Sequence, residues 1–152
     1  MYDKSGAAVK LSMTNELFLS ANVYDPFLFL LVRCRAWTQV NETLRPQCYS
    51  MVDASRTSWY IRHFGFYLRR EPADHATNPQ QFDVDSSFVL HADTFYGGYY
   101  ALESVNYPGR YFQPDHDRYL VIRPVTVDYH DRASFLISEY NETGTRQQHL
   151  IR

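Results

Sequence analysis

The chain has 152 residues and a formal net charge of −2 at pH 7. It is long enough for one domain with a buried core, and it has no overall positive field that would attract nucleic acid or an anionic membrane. Its 13 tyrosines and 10 phenylalanines favour strands over helices. The longest apolar run, residues 27–32, is far shorter than the roughly 20 residues of a membrane-spanning helix. These bounds predict a β-rich domain with neither a nucleic-acid nor a membrane partner.

Short apolar runs in the first 47 residues predict strands at 9–12, 17–20 and 27–30. Each run is bounded by polar or turn-forming residues, as is typical of all-β domains. A longer polar loop is expected over residues 72–79, which include two prolines. Residues 82–88 are expected to be extended.

Cys34 and Cys48 are the only cysteines of the chain. A disulfide between them would close a loop of about 15 residues, which contributes roughly 3 kcal/mol on the loop-entropy model. The alternative is a pair of unrelated buried thiols.

Two identical glycosylation sequons, at Asn41 and Asn141, lie outside the predicted strands. A sequon matters only for a chain that passes through a secretory pathway. One sequon is a common accident, but two favour a secreted glycoprotein. Because no charged and apolar leader is evident at the N-terminus, we expect the chain to be a domain of a larger, multidomain extracellular protein.

Two segments of the chain repeat the same order of strands about fifty residues apart. The first runs from Tyr49 to Leu90 and the second from Tyr100 to Ile137, with Gly97-Gly98 between them. A period of this size indicates one supersecondary unit used several times. With a degenerate copy in the first 47 residues, the sequence predicts an all-β fold, a β-trefoil, over residues 1–140. The repeats are expected at about 1–47, 48–98 and 99–140, followed by a frayed polar tail at 141–152.

Three segments of the chain carry recognisable motifs, and they are Trp59–His63, Phe82–Phe88 and Glu103–Tyr111. They resemble motifs of the arabinose-binding module of B-type α-L-arabinofuranosidases, the AbfB domain. In that family each repeat has a strand ending in Arg-Tyr-(Ile/Leu)-Arg-His and, about twenty residues later, a Phe-x-x-Asp-(Ala/Ser)-(Thr/Ser)-Phe segment. The family also has a Glu-Ser-x-Asn-Tyr-Pro-Gly-Arg-Tyr segment. The resemblance is strong over about residues 48–138 and weak before them. Similar domains also occur in animal mucin-like matrix proteins such as otogelin.

The resemblance assigns a sugar-binding pair to His63 and Asp85 in the second repeat. A carboxylate can accept from vicinal hydroxyls while an imidazole donates or accepts beside it. Phe64, next to His63, is the candidate for an aromatic wall. In the third repeat the two positions hold Pro114 and Arg132, and the first repeat has no Arg-His pair. The sequence therefore predicts at most one intact pocket of the family type.

Structural roles for this pair stay open at this point. His63 could simply fill a strand terminus, and Asp85, followed by two serines, could cap the turn before a strand by accepting from backbone amides.

Catalysis and metal binding are not expected. Glycoside hydrolysis needs two carboxyl groups about 5 to 9 Å apart across one bond, and Asp83 and Asp85 on one extended segment would point in parallel. The Asp115–Asp117 and Tyr129–Asp131 segments lack the ligand spacing of known metal sites, so they predict solvated turns. We expect no cofactor and no enzyme activity.

A group of arginines suggests a different ligand class. Guanidinium groups close together could hold the sulfate or carboxylate of an acidic polysaccharide, although a scattered, solvated surface is the simpler interpretation. The group comprises Arg56, Arg62, Arg69 and Arg70.

Two functional hypotheses result. In the first, the domain is a non-catalytic carbohydrate-binding module with one pocket, taking an arabinofuranoside-like sugar or an animal glycan. In the second, it is a structural or interaction domain of an extracellular matrix or mucin-like protein of the otogelin type, with matrix proteins as partners and vestigial sugar pockets.

Overall fold

The computed structural model describes the molecule over residues 1–140 and 146–148. Within these residues the strands form three copies of a four-strand unit, which confirms the predicted all-β trefoil. The first copy contains β1 (Tyr2–Asp3), β2 (Ala8–Leu11), β3 (Leu17–Ser20) and β4 (Phe29–Arg33). The second contains β5 (Cys48–Asp53), β6 (Arg56–Phe64), β7 (Tyr67–Pro72) and β8 (Phe88–Ala92). The third contains β9 (Tyr100–Ser104), β10 (Arg110–Pro114), β11 (Leu120–Pro124) and β12 (Phe135–Leu136).

Short helices and one further pair of strands complete the described chain. The α-helix α1 spans Pro79–Asp85, and 3-10 helices span Trp37–Gln39, Arg45–Gln47, Ala73–His75 and Val127–Ala133. Strands β13 (Ser138–Tyr140) and β14 (Arg146–Gln148) pair as a separate antiparallel sheet. Residues 146–148 of the predicted tail are therefore a strand. Its remaining residues, including the Asn141 sequon, lie outside the described part of the chain.

The first and last strands of each copy pair with those of neighbouring copies. Antiparallel pairing joins β12 to β1, β4 to β5, and β8 to β9. Further pairs join β5 to β8 and β9 to β12. Because each copy finds strand partners in the next one, no copy completes its sheet alone.

The middle strands of each copy form a hairpin, and the three hairpins meet at one end of the molecule. Bridges link Val121 to Tyr67, Glu16 to Arg69, and Phe18 to Tyr119. Each hairpin contributes an equivalent, fully buried leucine. These leucines are Leu17, Leu68 and Leu120.

One continuous apolar core fills the space between the strands and the hairpins. Phe88 and Phe112 meet edge to face with ring centroids 4.8 Å apart, a geometry that aromatic pairs favour. Phe135 is also fully buried. Leu17, Leu68 and Leu120 belong to the same core cluster, so the three-fold repeat of the sequence is also a three-fold repeat of packing. Among the described residues, no helix is long and apolar enough to cross a membrane.

The predicted disulfide between Cys34 and Cys48 is present, with the two Cα atoms 5.3 Å apart. Both cysteines are buried in a small apolar cluster with Ala36 and Val40. The bond closes the segment between β4 and β5, which contains two 3-10 helices and the exposed Asn41. It therefore stabilises a long connection that has little regular structure of its own.

The expectation of an extended segment over residues 82–88 is wrong, because residues up to Asp85 belong to α1. Asn78 caps the helix by accepting a hydrogen bond from the backbone N–H of Gln81, and Pro79 occupies its first turn. Both residues are typical of helix starts. At the other end, the Ser86 hydroxyl donates to the Phe82 carbonyl at 2.7 Å. Strand β8 begins only at Phe88.

Replacing both cysteines by serine is expected to lower the free energy of unfolding by roughly 3 kcal/mol, because the unfolded chain regains the freedom of the closed loop. Urea denaturation of the wild type and the double variant measures the difference. Wild-type protein unfolded under reducing conditions serves as the control and should match the variant. A loss below about 1 kcal/mol would show that the bond adds little to the fold.

Candidate functional site

A buried polar cluster lies at the end of the β6–β7 hairpin, where the second copy meets the turn between β9 and β10. His63 and Asp85, the pair predicted from the sequence, are each only 4% exposed. The structure brings them together: Nε2 of His63 lies 3.5 Å from Oδ1 of Asp85. The predicted pair is thus a spatial pair, although 22 positions separate the two residues.

Asp85 is the centre of this cluster. Its Oδ2 accepts a hydrogen bond from Nη2 of Arg62, with which it forms an ion pair. Its Oδ1 accepts from Nε2 of Gln81 and from Nδ2 of Asn106, both at 2.8 Å. Among the described residues these partners are side chains from β6, from α1 and from the β9–β10 turn. The alternative in which Asp85 caps its own turn through backbone amides is therefore not observed, since α1 directs the carboxylate towards Arg62.

His63 is held in one tautomer by its surroundings. Asn106 donates through Nδ2 to Asp85, so its Oδ1 faces the ring and lies 2.8 Å from Nε2 of His63. The same Oδ1 accepts from the Ser104 hydroxyl at 3.0 Å. Nε2 must therefore carry the hydrogen and donate it.

The pKa of His63 lies below its ordinary value, mainly because burial disfavours the charged ring. The hydrogen bond to Asn106 and the negative charge of Asp85 oppose this effect, and the charge of Arg62 adds to it. The neutral form is therefore favoured in the folded protein.

Arg62 joins the cluster to the outer edge of the hairpin. Its Nη1 lies 3.3 Å from Oε2 of Glu71, and Glu71 also pairs with Arg69 at 2.8 Å. The Arg62 guanidinium lies 5.2 Å from the ring centre of Phe82, so its charge is compensated on one side and packed against an aromatic face on the other.

Aromatic side chains border the cluster. Tyr107, 42% exposed, meets the His63 ring edge to face at 5.4 Å. Phe66 meets Tyr107 in the same way at 5.2 Å. Phe64, the aromatic wall expected from the sequence, is 62% exposed and lies near the guanidinium groups of Arg62 and Arg69, at 5.5 and 6.0 Å. Within the described part of the chain, the aromatic ring that pairs with His63 is that of Tyr107.

Gln81 covers the carboxylate from the solvent side. It is an exposed residue in α1, yet its carboxamide reaches back over one helical turn to Oδ1 of Asp85. Rotation of this one side chain would free an acceptor position on Asp85 without breaking the Arg62 ion pair.

Strand register identifies the equivalent positions in the other copies. Each of the three fully buried leucines pairs with one residue of the neighbouring strand. Leu17 pairs with Leu11, Leu68 with His63, and Leu120 with Pro114. Likewise, Asp85 stands three residues before Phe88, and Arg132 stands three before Phe135. The imidazole is therefore replaced by apolar groups in both other copies, and the carboxylate is replaced by a guanidinium in the third.

Neighbouring carboxylates are committed to other contacts. Asp83 pairs with Arg35 at 2.9 Å, whereas Asp85 pairs with Arg62. The two lie on α1, so they point to different sides of a helix rather than in parallel from an extended segment. Among the described residues, no group of three or more histidine, cysteine, aspartate or glutamate side chains is arranged to hold a metal ion.

The arginines considered as an anion-binding group are mostly paired with acids. Arg62 and Arg69 pair with Glu71, and Arg70 pairs with the buried Asp53. Arg56 stacks on Trp59 at 5.3 Å. These contacts argue against a free basic surface at this hairpin.

Several members of the cluster were not assigned a role from the sequence. Arg62 and Asn106 both stand inside the quoted motifs, and Asn106 directly precedes Tyr107, so the motifs themselves were the available signal. Gln81 belongs to no motif, and only a helix between Asn78 and Asp85 would have placed it one turn before the carboxylate.

The chain belongs to the alpha-L-arabinofuranosidase B (ABFB) domain family, whose model matches residues 29–137. The match contains the whole polar cluster and both flanking turns. A comparison with curated protein sequences gives no significant match.

Several solved structures share the fold. An arabinofuranosidase complexed with arabinofuranosyl-alpha-1,2-xylobiose is 19% identical, with a TM-score of 0.60 over 84% of this chain and 29% of that chain. A mosquitocidal holotoxin is 12% identical, with a TM-score of 0.62 over 88% of this chain and 15% of that chain. The cytokine interleukin-36alpha is 14% identical, with a TM-score of 0.55 over 85% of this chain and 84% of that chain. The chain thus corresponds to less than a third of the arabinofuranosidase.

His63 should make stability depend on pH. Because its pKa in the folded state lies below the ordinary value of 6.5, protonation favours the unfolded chain. The contribution is fully present above pH 6.5 and is lost as the pH falls below it. Urea denaturation between pH 7.5 and pH 5 should show a steeper loss for the wild type than for His63→Gln, which retains a donor for Asn106. Equal slopes for the two proteins would contradict the assignment.

Proposed function

We propose that this chain is a non-catalytic carbohydrate-binding module of a secreted, multidomain glycoprotein, and that the polar cluster of the second copy is its sugar site. The observation that carries the proposal is the position of Asp85 Oδ1, which is held beside His63 and Asn106 and covered from solvent by Gln81. A sugar hydroxyl can take the place of the Gln81 carboxamide and donate to the same oxygen.

The border of the cluster suits a small sugar. Tyr107 and Phe66 are partly exposed and present aromatic surface next to the polar groups. Binding sites for small molecules commonly combine apolar walls with a few placed polar groups. Membership in the family, and the arabinofuranosyl ligand named for a structure of the same fold, make an arabinofuranoside the first candidate ligand. An animal glycan with vicinal hydroxyls in a similar arrangement is the second.

The pairing of the carboxylates supports a non-catalytic role. Glycoside hydrolysis needs one carboxyl group that gives up a proton and another that acts as base or nucleophile. Asp85, Asp83 and Glu71 are each held in an ion pair with arginine. A carboxylate held in this way is poorly suited to carry and release a proton.

A second candidate function is protein contact within an extracellular matrix or mucin-like protein. Exposed aromatic side chains are concentrated near the hairpin end, and they are Phe64, Phe66, Tyr67, Tyr107 and Tyr119. Aromatic residues are enriched at protein interfaces. A cytokine has a similar fold, so this fold is not restricted to proteins of carbohydrate metabolism. In this case the polar cluster acts only as a structural connection.

The sugar site is tested by calorimetric titration with methyl α-L-arabinofuranoside and with arabinofuranosyl-α-1,2-xylobiose. Asp85→Asn should weaken binding by about tenfold or more, because a charge-assisted acceptor is lost. Gln81→Ala should bind a few-fold more tightly, since the competing side chain is absent.

Gln80→Ala is the matched control, because Gln80 is an exposed neighbour on the same helix. Circular dichroism and thermal unfolding establish that each variant is folded. Failure of both the wild type and Gln81→Ala to bind would favour the protein-contact function. Unchanged binding by folded Asp85→Asn would place any sugar elsewhere.

Secretion and glycosylation are supported by the disulfide and by the exposed Asn41, which lies in the segment that the disulfide closes. Expressed through a eukaryotic secretory pathway, the wild type should exceed Asn41→Gln in mass by one glycan. Intact-mass spectrometry before and after enzymatic glycan release measures this. Equal masses for the two proteins would show that Asn41 is not glycosylated.

A further inference from the structure

An open cavity of about 740 Å³ lies beside the third hairpin. It is lined by the β10–β11 turn, the β1–β2 turn and the end of the 3-10 helix Val127–Ala133. It therefore lies between the third copy and the first, as the polar cluster lies between the second copy and the third.

The cavity occupies the position that is equivalent to the polar cluster. Pro114 and Arg132, which line it, correspond to His63 and Asp85. Asp3 pairs with Phe135 as Ser104 pairs with Phe88, so Ser5, two residues further, corresponds to Asn106.

Smaller side chains and a lost ion pair distinguish the third copy from the second. Pro114 and Ser5 are smaller than the residues that they replace. The position of Arg62 is taken by the uncharged Gln113, so Arg132 has no charged partner on that strand. The space that side chains fill in the second copy is open here.

Two of the acidic residues in the lining hold turns. Asp3 Oδ1 accepts from the Ser5 hydroxyl at 2.6 Å and from the Ala7 N–H at 2.8 Å. Asp115 Oδ1 accepts from the backbone N–H groups of residues 117 and 119, at 2.9 and 3.0 Å. Asp115 also accepts through Oδ2 from the Tyr67 hydroxyl at 3.2 Å. Both carboxylates are thus engaged within the protein, which reduces what they can offer to a ligand.

Three cations of the lining have no acidic partner among the described residues. Arg132 lies over the Tyr129 ring at 4.5 Å, and Lys4 lies over the Tyr96 ring at 4.6 Å. Arg118 donates through Nε to the Leu19 carbonyl at 3.2 Å, which leaves its terminal nitrogens as donors. The same lining also contains one exposed carboxylate, that of Asp131.

We propose that this cavity binds a sugar acid, that is, a monosaccharide unit with one carboxylate and several hydroxyls. A guanidinium such as Arg132 presents paired donors that match a carboxylate, while Asp131 can accept from hydroxyls. The volume is within the range of small-molecule sites and has room for one or two sugar rings. This ligand class differs from the neutral sugar proposed for the second copy, since the carboxylate of that site is a guanidinium in this one.

The test is an NMR titration of the ¹⁵N-labelled chain with methyl β-D-glucuronide, and with methyl β-D-glucoside as the neutral control. The glucuronide should give saturable shifts at the amides of Ser5, Asp131 and residues 115–118, and the glucoside should not. Arg132→Gln and Lys4→Gln should each weaken the affinity for the glucuronide, the former by about tenfold. Arg56→Gln, which changes an exposed arginine outside the lining, is the matched control.

Two results would overturn the proposal. One is an equal response to the glucuronide and the glucoside, which would show that the charge is not recognised. The other is the absence of saturable shifts for the folded wild type. Asp85→Asn should leave the glucuronide response unchanged and Arg132→Gln should leave arabinofuranoside binding unchanged, so the two sites can fail independently.

Discussion

The buried ion pair between Arg62 and Asp85 is the constraint on which the second copy depends. A carboxylate that is removed from water must be compensated by charge and hydrogen bonds, and here the compensation comes from three separate parts of the chain. Arg62 is supplied by β6, Gln81 by α1, and Asn106 by the β9–β10 turn. Asp85 therefore fixes the helix against the hairpin and the second copy against the third. The predicted pairing of His63 with Asp85 is one contact within this larger network.

The same network explains how one trefoil can offer two different surfaces at equivalent positions. In the second copy, large polar side chains meet over a carboxylate, and the exposed Gln81 hydrogen-bonds to it. In the third copy, Pro114 and Ser5 leave space, and Arg132 reverses the charge. The first copy places Leu11 at the position of His63, where no titratable group remains. Each change is local, because the core leucines and the strand pairing that carry the three positions are the same in all three copies.

Much of this architecture could be predicted from the sequence. The spacing of the two clear repeats predicted the trefoil, and the two cysteines predicted the disulfide. The helix at Pro79–Asp85 was missed although Asn78-Pro79 is a typical helix start. The partners of Asp85 could not be predicted from local pattern, since Arg62 and Asn106 are 23 and 21 positions away. Nor could the cavity, because an open space depends on how small side chains from distant turns come together.

The most direct measurement of the central claim is a crystal structure of the chain soaked with arabinofuranosyl-α-1,2-xylobiose, in a lattice that leaves α1 and the β9–β10 turn open to solvent. The account predicts an arabinofuranosyl hydroxyl within hydrogen-bond distance of Asp85 Oδ1, the sugar ring beside Tyr107, and the Gln81 carboxamide turned away. A sugar bound elsewhere, or an unoccupied cluster with the Gln81 hydrogen bond intact, would contradict it and leave Asp85 as a structural connection alone.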